Sequence, residues 1–186
     1  MTVDQLLEQD FGTLAEVLAA QGRERGDHLA LIDGERLLTY AQLNVLMDRI
    51  AGALQRDGVK VGDAVAVCAT TSLEYAALFL GILRAGAVVA PLAPSSTAES
   101  LAVMLADCGA SLFFLDRGVG ELVAPVADRI TARRIALDGS ETGDAFVDWL
   151  APEGVRPATV SVDPMQGFNI IYSSGTTGTP KGIVQP

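Results

Sequence analysis

The sequence predicts an α/β fold in which a largely parallel sheet is layered with helices. Short apolar runs alternate with longer segments whose apolar residues recur at helical spacing. The runs at 64–68, 87–90 and 112–115 show no polar alternation, which is typical of strands buried on both faces. With 49% apolar and 19% charged residues, the 186-residue chain can bury such a core. We expect right-handed crossovers to place consecutive strands side by side.

Four capping boxes predict where helices begin, because each box satisfies the first backbone N–H groups of a helix. They begin at Thr13, Thr39, Thr71 and Ser96. Two further patterns add to this framework. Asp33-Gly34 between two apolar runs predicts a β-hairpin over 29–39, and a less regular pattern predicts a helix around 121–129 and a strand at 135–137.

Several stretches are expected to connect rather than to form the core. Residues 1–10 are an N-terminal extension, and residues 138–167, which are rich in Gly, Pro and acidic residues, form surface connections. Phe146 and Trp149 are expected to anchor the segment between them. The apolar stretch from Tyr75 to Pro94 contains Arg84 and several Gly and Pro residues, so it predicts a buried helix, turn and strand and no membrane span.

Composition argues against several classes of protein. A formal net charge of −10 disfavours a nucleic-acid partner, because no basic patch is available to contact phosphates along a duplex. Cys68 and Cys108 form no Cys-x-x-Cys pair and are read as free thiols, and the start of the chain has no secretory signal, so we expect a cytoplasmic protein. One histidine, His28, neither fixes a catalytic triad nor predicts a metal site.

A Gly-, Ser- and Thr-rich stretch between two apolar runs is the strongest functional signal. The apolar runs on either side predict a strand–Gly-rich loop–strand. The loop offers backbone N–H groups, hydroxyls and one ammonium, which are the donors that a polyphosphate requires. A flexible connection is the alternative. A Walker loop is excluded, since Pro180 stands where that motif has glycine and Gly182 where it has a hydroxyl. The candidate binding residues are Ser173, Ser174, Gly175, Thr176, Thr177, Gly178, Thr179 and Lys181.

The stretch 170–182 (IIYSSGTTGTPKG) resembles the AMP-binding signature of the adenylate-forming superfamily, without gap or substitution. Further resemblance lies upstream, in Leu-Thr-Tyr-Ala-Gln-Leu at 38–43, Gly-Asp-Ala-Val-Ala at 62–66 and Ala-Gly-Ala-Val-Val-Ala-Pro-Leu at 85–92. Ala93 departs from the family, because many members have Asp there. The resemblance covers about residues 11–186, and it implies the N-terminal subdomain portion of the adenylate-forming enzyme fold.

The resemblance implies an ATP-dependent carboxylic acid–CoA ligase of the acyl-CoA synthetase type, as in fatty acid metabolism. Its expected substrate is a small carboxylic acid. ATP and coenzyme A are the expected co-substrates, and Mg²⁺ is the expected metal cofactor. In this family the glycine-rich loop wraps the β- and γ-phosphates. The hydroxyls and N–H groups of 173–179 would therefore be donors, while Lys181 would supply charge or brace the loop.

The chain is expected to be the N-terminal part of a large AMP-binding domain whose remainder and C-terminal domain are absent. Catalytic residues are then expected beyond Pro186, so the 186 residues alone would be inactive and would expose apolar surface that favours self-association. Two alternatives remain open. The parent could be an adenylation domain that loads a carrier protein, or the chain could be a non-catalytic nucleotide-binding module.

Overall fold

The computed structural model describes residues 1–173 and 180–186. The chain divides into two compact units. The first unit consists of residues 1–61, 71–86 and 151–164, and the second consists of residues 62–70, 87–150 and 165–186. Each unit is therefore built from three separate stretches of chain.

The first unit combines helices with one two-stranded antiparallel hairpin. The helices α2 and α3 begin with the predicted capping boxes, in which the Thr13 and Thr39 hydroxyls accept from the backbone N–H groups of Glu16 and Gln42. The predicted hairpin is confirmed, and Gly34 provides the left-handed backbone (φ 61°) that its tight loop requires. The elements are α1 (Val3–Leu7), α2 (Leu14–Glu24), β1 (Leu29–Asp33), β2 (Arg36–Thr39), α3 (Tyr40–Arg56) and α4 (Leu73–Arg84).

Two of the four predicted capping boxes are displaced by one residue. Ser72, not Thr71, caps α4 by accepting from the Tyr75 N–H, and Thr97, not Ser96, caps α5 (Ala98–Cys108). With Ser72 as the cap, the third helical residue is Tyr75, so Glu74 is not at the capping-box position, and its carboxylate accepts from the Arg36 guanidinium at 2.7 Å. The hydroxyl residues correctly predicted that a helix begins near each position. The backbone conformation decided which of two adjacent hydroxyls accepts from the first N–H groups of the helix.

Arg84, at the end of α4, is the charged residue inside the apolar stretch from Tyr75 to Pro94. Its guanidinium is mostly buried and donates to the Asn44 side-chain oxygen at 2.5 Å and to the Asp48 carboxylate at 2.8 Å. It also donates to the backbone oxygens of Asn44 and Ala15. The stretch is thus the buried helix, turn and strand that the sequence predicts, and no helix within 1–173 or 180–186 is long and apolar enough to cross a membrane.

The second unit contains a seven-stranded sheet in the order β7-β6-β5-β3-β4-β8-β9. Neighbouring strands are parallel except for the antiparallel pair β8–β9. The mainly parallel α/β sheet predicted from the sequence is therefore confirmed. Its strands are β3 (Ala64–Cys68), β4 (Val88–Pro91), β5 (Leu112–Leu115), β6 (Arg133–Ala136), β7 (Asp144–Ala145), β8 (Asn169–Ser173) and β9 (Lys181–Gln185).

The expectation that consecutive strands lie side by side is wrong at two places. β5 does not pair with β4 but with the far side of β3, and β8 later returns to lie beside β4. The strand order consequently reverses at β3. Crossover handedness restricts how a strand is added but does not decide on which side of the sheet it is added.

Helices and aromatic side chains cover the two faces of this sheet. On one face, alternate strand residues such as Cys68, Phe113 and Leu115 pack against α5 (Ala98–Cys108), α6 (Arg117–Val123) and a 3₁₀ helix (Ala124–Arg129). On the other face, Phe114 meets Phe146 and Trp149 of α7 (Phe146–Trp149). These two residues anchor their segment as expected, and the range 138–167 thereby includes β7 and α7 between its loops.

The helix predicted around 121–129 begins earlier and has two parts. Asp116 caps α6 by accepting from the Val119 N–H, so the helix starts at Arg117. Pro125 lies in the first turn of the following 3₁₀ helix. Residues in a first turn do not donate an intrahelical hydrogen bond, so the missing N–H of proline costs nothing there. The proline therefore marks a junction between two short helices.

We expect Cys68 to resist thiolate-directed alkylation in the native protein. Burial, with a smaller contribution from the Asp116 carboxylate, raises the pKa of its thiol to about 12, so at pH 8 only about one thiol in ten thousand is ionised. Labelling followed by mass spectrometry should find Cys68 modified only after unfolding. A Cys108→Ser variant isolates the signal, and rapid native modification of Cys68 would contradict the buried placement.

Candidate functional site

The β8–β9 hairpin holds the two ends of the candidate binding stretch. Ser173 is the last residue of β8, Lys181 is the first of β9, and the two are cross-strand partners. Directly opposed residues have Cβ atoms about 5 Å apart on the same face of a sheet. The structure thus brings together the first and last of the eight predicted residues. The other six, Ser174 to Thr179, lie outside the described part of the chain.

The hairpin stands at the carboxyl edge of the parallel strands. β8 runs parallel to β4, so Ser173 lies at the end of the sheet where the parallel strands finish. In open α/β sheets, ligands bind outside this edge. Ser173 and Lys181 are exposed there, and no hydrogen bond or ion pair joins the Lys181 ammonium to another residue of 1–173 or 180–186. A hydroxyl and a cation are thus available at this edge.

Tyr172 faces the opposite side of the hairpin and is tied to α5. Its hydroxyl donates to the Asp107 carboxylate at 2.6 Å and also lies 3.2 Å from the Met104 backbone oxygen. Burial, followed by the hydrogen bond to Asp107, raises the pKa of the Tyr172 phenol, so it remains a donor across the neutral range. Its cross-strand partner is Gly182, the last glycine of the signature.

Sequence reasoning missed the contribution of Tyr172 and Asp107. The register of a hairpin closed by Ser173 and Lys181 places Tyr172 opposite Gly182, and this could have been read from the chain. Asp107 carried no signal, because it lies 65 residues earlier on a helix.

At the place where the strand order reverses, beyond the ends of β3 and β5, lies a carboxylate with a structural role. Asp116, directly after β5, accepts from the Thr70 N–H at 2.7 Å and from the Val119 N–H at 2.9 Å. Partial burial acts to raise the pKa of Asp116, but these hydrogen bonds outweigh it and the pKa is lowered. Asp116 therefore stays ionised and joins the ends of two strands to the start of α6.

Side chains that could ligate a metal are dispersed over residues 1–173 and 180–186. These ranges contain no group of three or more His, Cys, Asp or Glu side chains placed to hold a metal ion. Mg²⁺ prefers phosphate and carboxylate oxygens. Because Mg²⁺ is commonly held by one or two carboxylates together with substrate phosphates, this observation concerns only sites built from three or more protein side chains.

The structure thus defines a layered α/β protein with a mainly parallel sheet, at whose carboxyl edge a hairpin exposes a hydroxyl and an ammonium. A protein-family model of the AMP-binding enzyme matches residues 18–186. The chain belongs to this family of AMP-binding enzymes. The predicted membership of the adenylate-forming superfamily is therefore confirmed.

Curated relatives and solved structures agree with the family. The chain is 31% identical over 175 residues to a dimodular nonribosomal peptide synthase of Bacillus subtilis, a match that covers 93% of this chain and 7% of that protein. It is 31% identical over 183 residues to the fatty acid–[acyl-carrier-protein] ligase ScoC of Streptomyces coeruleorubidus, with coverages of 98% and 34%. The anthranilate CoA ligase AuaEII, solved with anthranoyl-AMP, superposes with a TM-score of 0.84 at 22% identity, with coverages of 99% and 35%. The chain thus spans about a third or less of these proteins. At 22% identity, the likeness to AuaEII shows a shared fold.

Proposed function

We propose that this chain supplies the phosphate-binding part of a ligase that activates a carboxylic acid with ATP and transfers the acyl group to a thiol. The observation that carries the proposal is the pairing of Ser173 with Lys181, the first and last candidate binding residues, at the carboxyl edge of the sheet. Hydroxyl, ammonium and backbone N–H donors complement a polyphosphate.

The proposed reaction has two steps. A carboxylate oxygen attacks the α-phosphorus of ATP, forming an acyl C–O–P linkage while the bond to the bridging oxygen breaks and pyrophosphate leaves. A thiol sulfur then attacks the acyl carbon, forming a thioester as the C–O bond to AMP breaks, and the thiol proton is released. Because negative charge collects on the departing pyrophosphate, donors placed around it stabilise the first transition state.

Within this reaction, the chain's own residues bind and orient the β- and γ-phosphates. The Lys181 ammonium supplies charge and the Ser173 hydroxyl a hydrogen bond, and we assign the same role to residues 174–179. Mg²⁺ would supply charge neutralisation as the pyrophosphate leaves, and no step is assigned to it here. The residues that carry out the chemistry are expected beyond Pro186.

Two acceptor thiols are candidates. Coenzyme A is the acceptor expected from the acyl-CoA synthetase resemblance, and fatty acid metabolism would then be its context. A carrier protein is favoured by the relative ScoC, which is named as a fatty acid–[acyl-carrier-protein] ligase and aligns with 98% of this chain. A thioester assay that offers coenzyme A and a phosphopantetheinylated carrier protein separately distinguishes them by the mass of the product.

The proposed activity is tested by ATP–pyrophosphate exchange with the product of the complete reading frame and a panel of fatty, aromatic and amino acids. Exchange that depends on one class of acid is expected. The 186 residues alone should show no exchange, although millimolar ATP should raise their melting temperature, because a ligand that binds the native state stabilises it. Binding of ATP without any acid-dependent exchange by the complete protein would support the non-catalytic alternative.

Replacing Lys181 with alanine should raise the KM for ATP about tenfold, the effect of losing one charge-assisted contact of about 1.4 kcal/mol. The KM for the acid should be unchanged, since no contact with the acid is lost. Steady-state exchange rates at varied ATP measure the effect. Lys60→Ala removes the other lysine of the chain and serves as the matched control. An unchanged KM for ATP in Lys181→Ala would remove this lysine from the site.

A further inference from the structure

Strand β8 begins at Asn169 and ends at Ser173. Among the described residues, it pairs with the neighbouring strand β4 at its beginning and not at Ser173. β8 pairs with β4 through one register pair, Val89 with Asn169, next to a hydrogen bond from the Val89 N–H to the Phe168 oxygen. Residues 170–173 have no ladder partner in β4. A second attachment is therefore needed to fix the end of β8 that leads into the loop.

Tyr172 provides that second attachment. Its side chain packs with the core cluster beneath α5, and its hydroxyl bonds to Asp107 and Met104 on that helix. The bond to Asp107 is short and charge-assisted, which makes it stronger than a bond between neutral groups. It joins the residue immediately before Ser173 to a helix that packs on the same sheet.

Gly182 explains how the Tyr172 ring can take this position. A Cβ atom at Gly182 would lie 3.1 Å from Cζ and 3.2 Å from Cε1 of the Tyr172 ring, and 3.0 Å from Cγ2 of Ile170. The backbone of Gly182 has no positive φ, so a side chain here would be opposed by crowding and not by backbone conformation. A side chain at this position would push the ring, and with it the hydroxyl, away from Asp107.

We propose that Tyr172, Asp107 and Gly182 form a clamp that positions Ser173 and Lys181, the residues on either side of the undescribed stretch 174–179. Tyr172 and Asp107 are positioning residues, since the Tyr172 side chain points to α5, on the opposite side of the hairpin from the Ser173 and Lys181 side chains. The clamp acts one residue pair away from Ser173 and Lys181, because Tyr172–Gly182 is the next pair of the same ladder. Its role in ATP binding rests on the proposed function, whereas its role in ordering the hairpin does not.

Hydrogen exchange tests the clamp without reference to ATP. In Tyr172→Phe, the backbone amides of Ser173 and Lys181 should exchange at least tenfold faster than in the unchanged protein, while amides of β3 and β5 should not. Tyr40→Phe removes a hydroxyl from a tyrosine of the first unit and is the matched control. Unchanged exchange at Ser173 and Lys181 would overturn the clamp, whatever the protein does with ATP.

Kinetics of the complete protein test the functional half of the inference. Tyr172→Phe and Asp107→Ala should each raise the KM for ATP about fivefold and leave the KM for the acid unchanged. Asp107→Asn keeps an acceptor oxygen and should recover most of the loss. The double variant Tyr172→Phe/Asp107→Ala should be no worse than either single variant, since both remove one interaction. A purely structural defect would raise both KM values, and this outcome would overturn the positioning role.

Failure of the clamp and failure of the proposed function give different results. If the unchanged protein binds ATP and exchanges pyrophosphate but the KM for ATP is unaffected in Tyr172→Phe, the clamp is wrong and the function stands. If the unchanged protein shows neither ATP binding nor exchange, the proposed function and the role of the clamp in ATP binding are overturned together. Hydrogen exchange alone then decides whether the clamp orders the hairpin.

Discussion

Replacing Phe114 with alanine should lower the free energy of unfolding by about 4 kcal/mol, the range measured for large aromatic residues truncated in a core. The Phe114 side chain is fully buried in β5, with its ring centroid 4.9 Å from that of Trp149 and 6.3 Å from that of Phe146. The loss combines apolar burial with two edge-to-face contacts. Since a domain is stable by only about 5–15 kcal/mol, urea unfolding should show a large fall in midpoint.

Two variants separate the possible causes of this loss. Phe114→Leu keeps most of the apolar volume and should cost clearly less than Phe114→Ala, because the cavity is smaller. Phe11→Ala removes an equal number of atoms from a ring that is 42% exposed, and it should cost less than about 1 kcal/mol. Equal losses in Phe114→Ala and Phe11→Ala would show that the aromatic cluster of Phe114, Phe146 and Trp149 is not a stabilising core.

Replacing Arg84 with alanine should lower the free energy of unfolding by about 3 kcal/mol. The Arg84 side chain is only 11% exposed, and its removal leaves the Asn44 side-chain oxygen without this donor and takes a second hydrogen bond from two helical backbone oxygens. The Asp48 carboxylate contributes less to the loss, because it is 41% exposed and can be rehydrated. Thermal and urea unfolding should both report the change.

Substitutions at the same position distinguish the guanidinium from the bulk of the side chain. Arg84→Lys keeps the charge but not the planar fork that serves several acceptors, so it should recover only part of the stability. Arg84→Met should likewise recover only the packing of the stem. Arg129→Ala, at an exposed arginine of the 3₁₀ helix, should change stability by less than about 0.5 kcal/mol. Full recovery by Arg84→Met would mean that the hydrogen bonds contribute little.

Local chemistry made the elements of this fold predictable. The Thr13 and Thr39 caps and the Asp33-Gly34 turn each depend on residues within a few positions of one another, and all three are confirmed. The caps at Ser72 and Thr97 were displaced because two adjacent hydroxyls compete for one role. A pattern that specifies a residue type at a spacing does not decide between neighbours of the same type.

Contacts between distant parts of the chain were less predictable. The order of strands around β3 depends on how helices and loops of different lengths pack, and no short motif encodes it. The candidate site divides in the same way. The signature around Ser173 and Lys181 could be read from the chain alone, whereas the contact between Tyr172 and Asp107 depends on how α5 packs against β8.

The division of each unit among three stretches of chain has a consequence for biosynthesis. The Gln55 side chain exchanges two hydrogen bonds with the backbone of Ala158, 103 residues later, and Arg49 donates to the Ala151 oxygen. The first unit therefore cannot be completed on the ribosome until residues 151–164 have emerged from the exit tunnel. During that interval the first 61 residues lack these contacts, and we expect the nascent chain to expose apolar surface that residues 151–164 later cover. Because synthesis runs from the N-terminus, the first unit can reach its complete native structure only after residues 151–164 have been made.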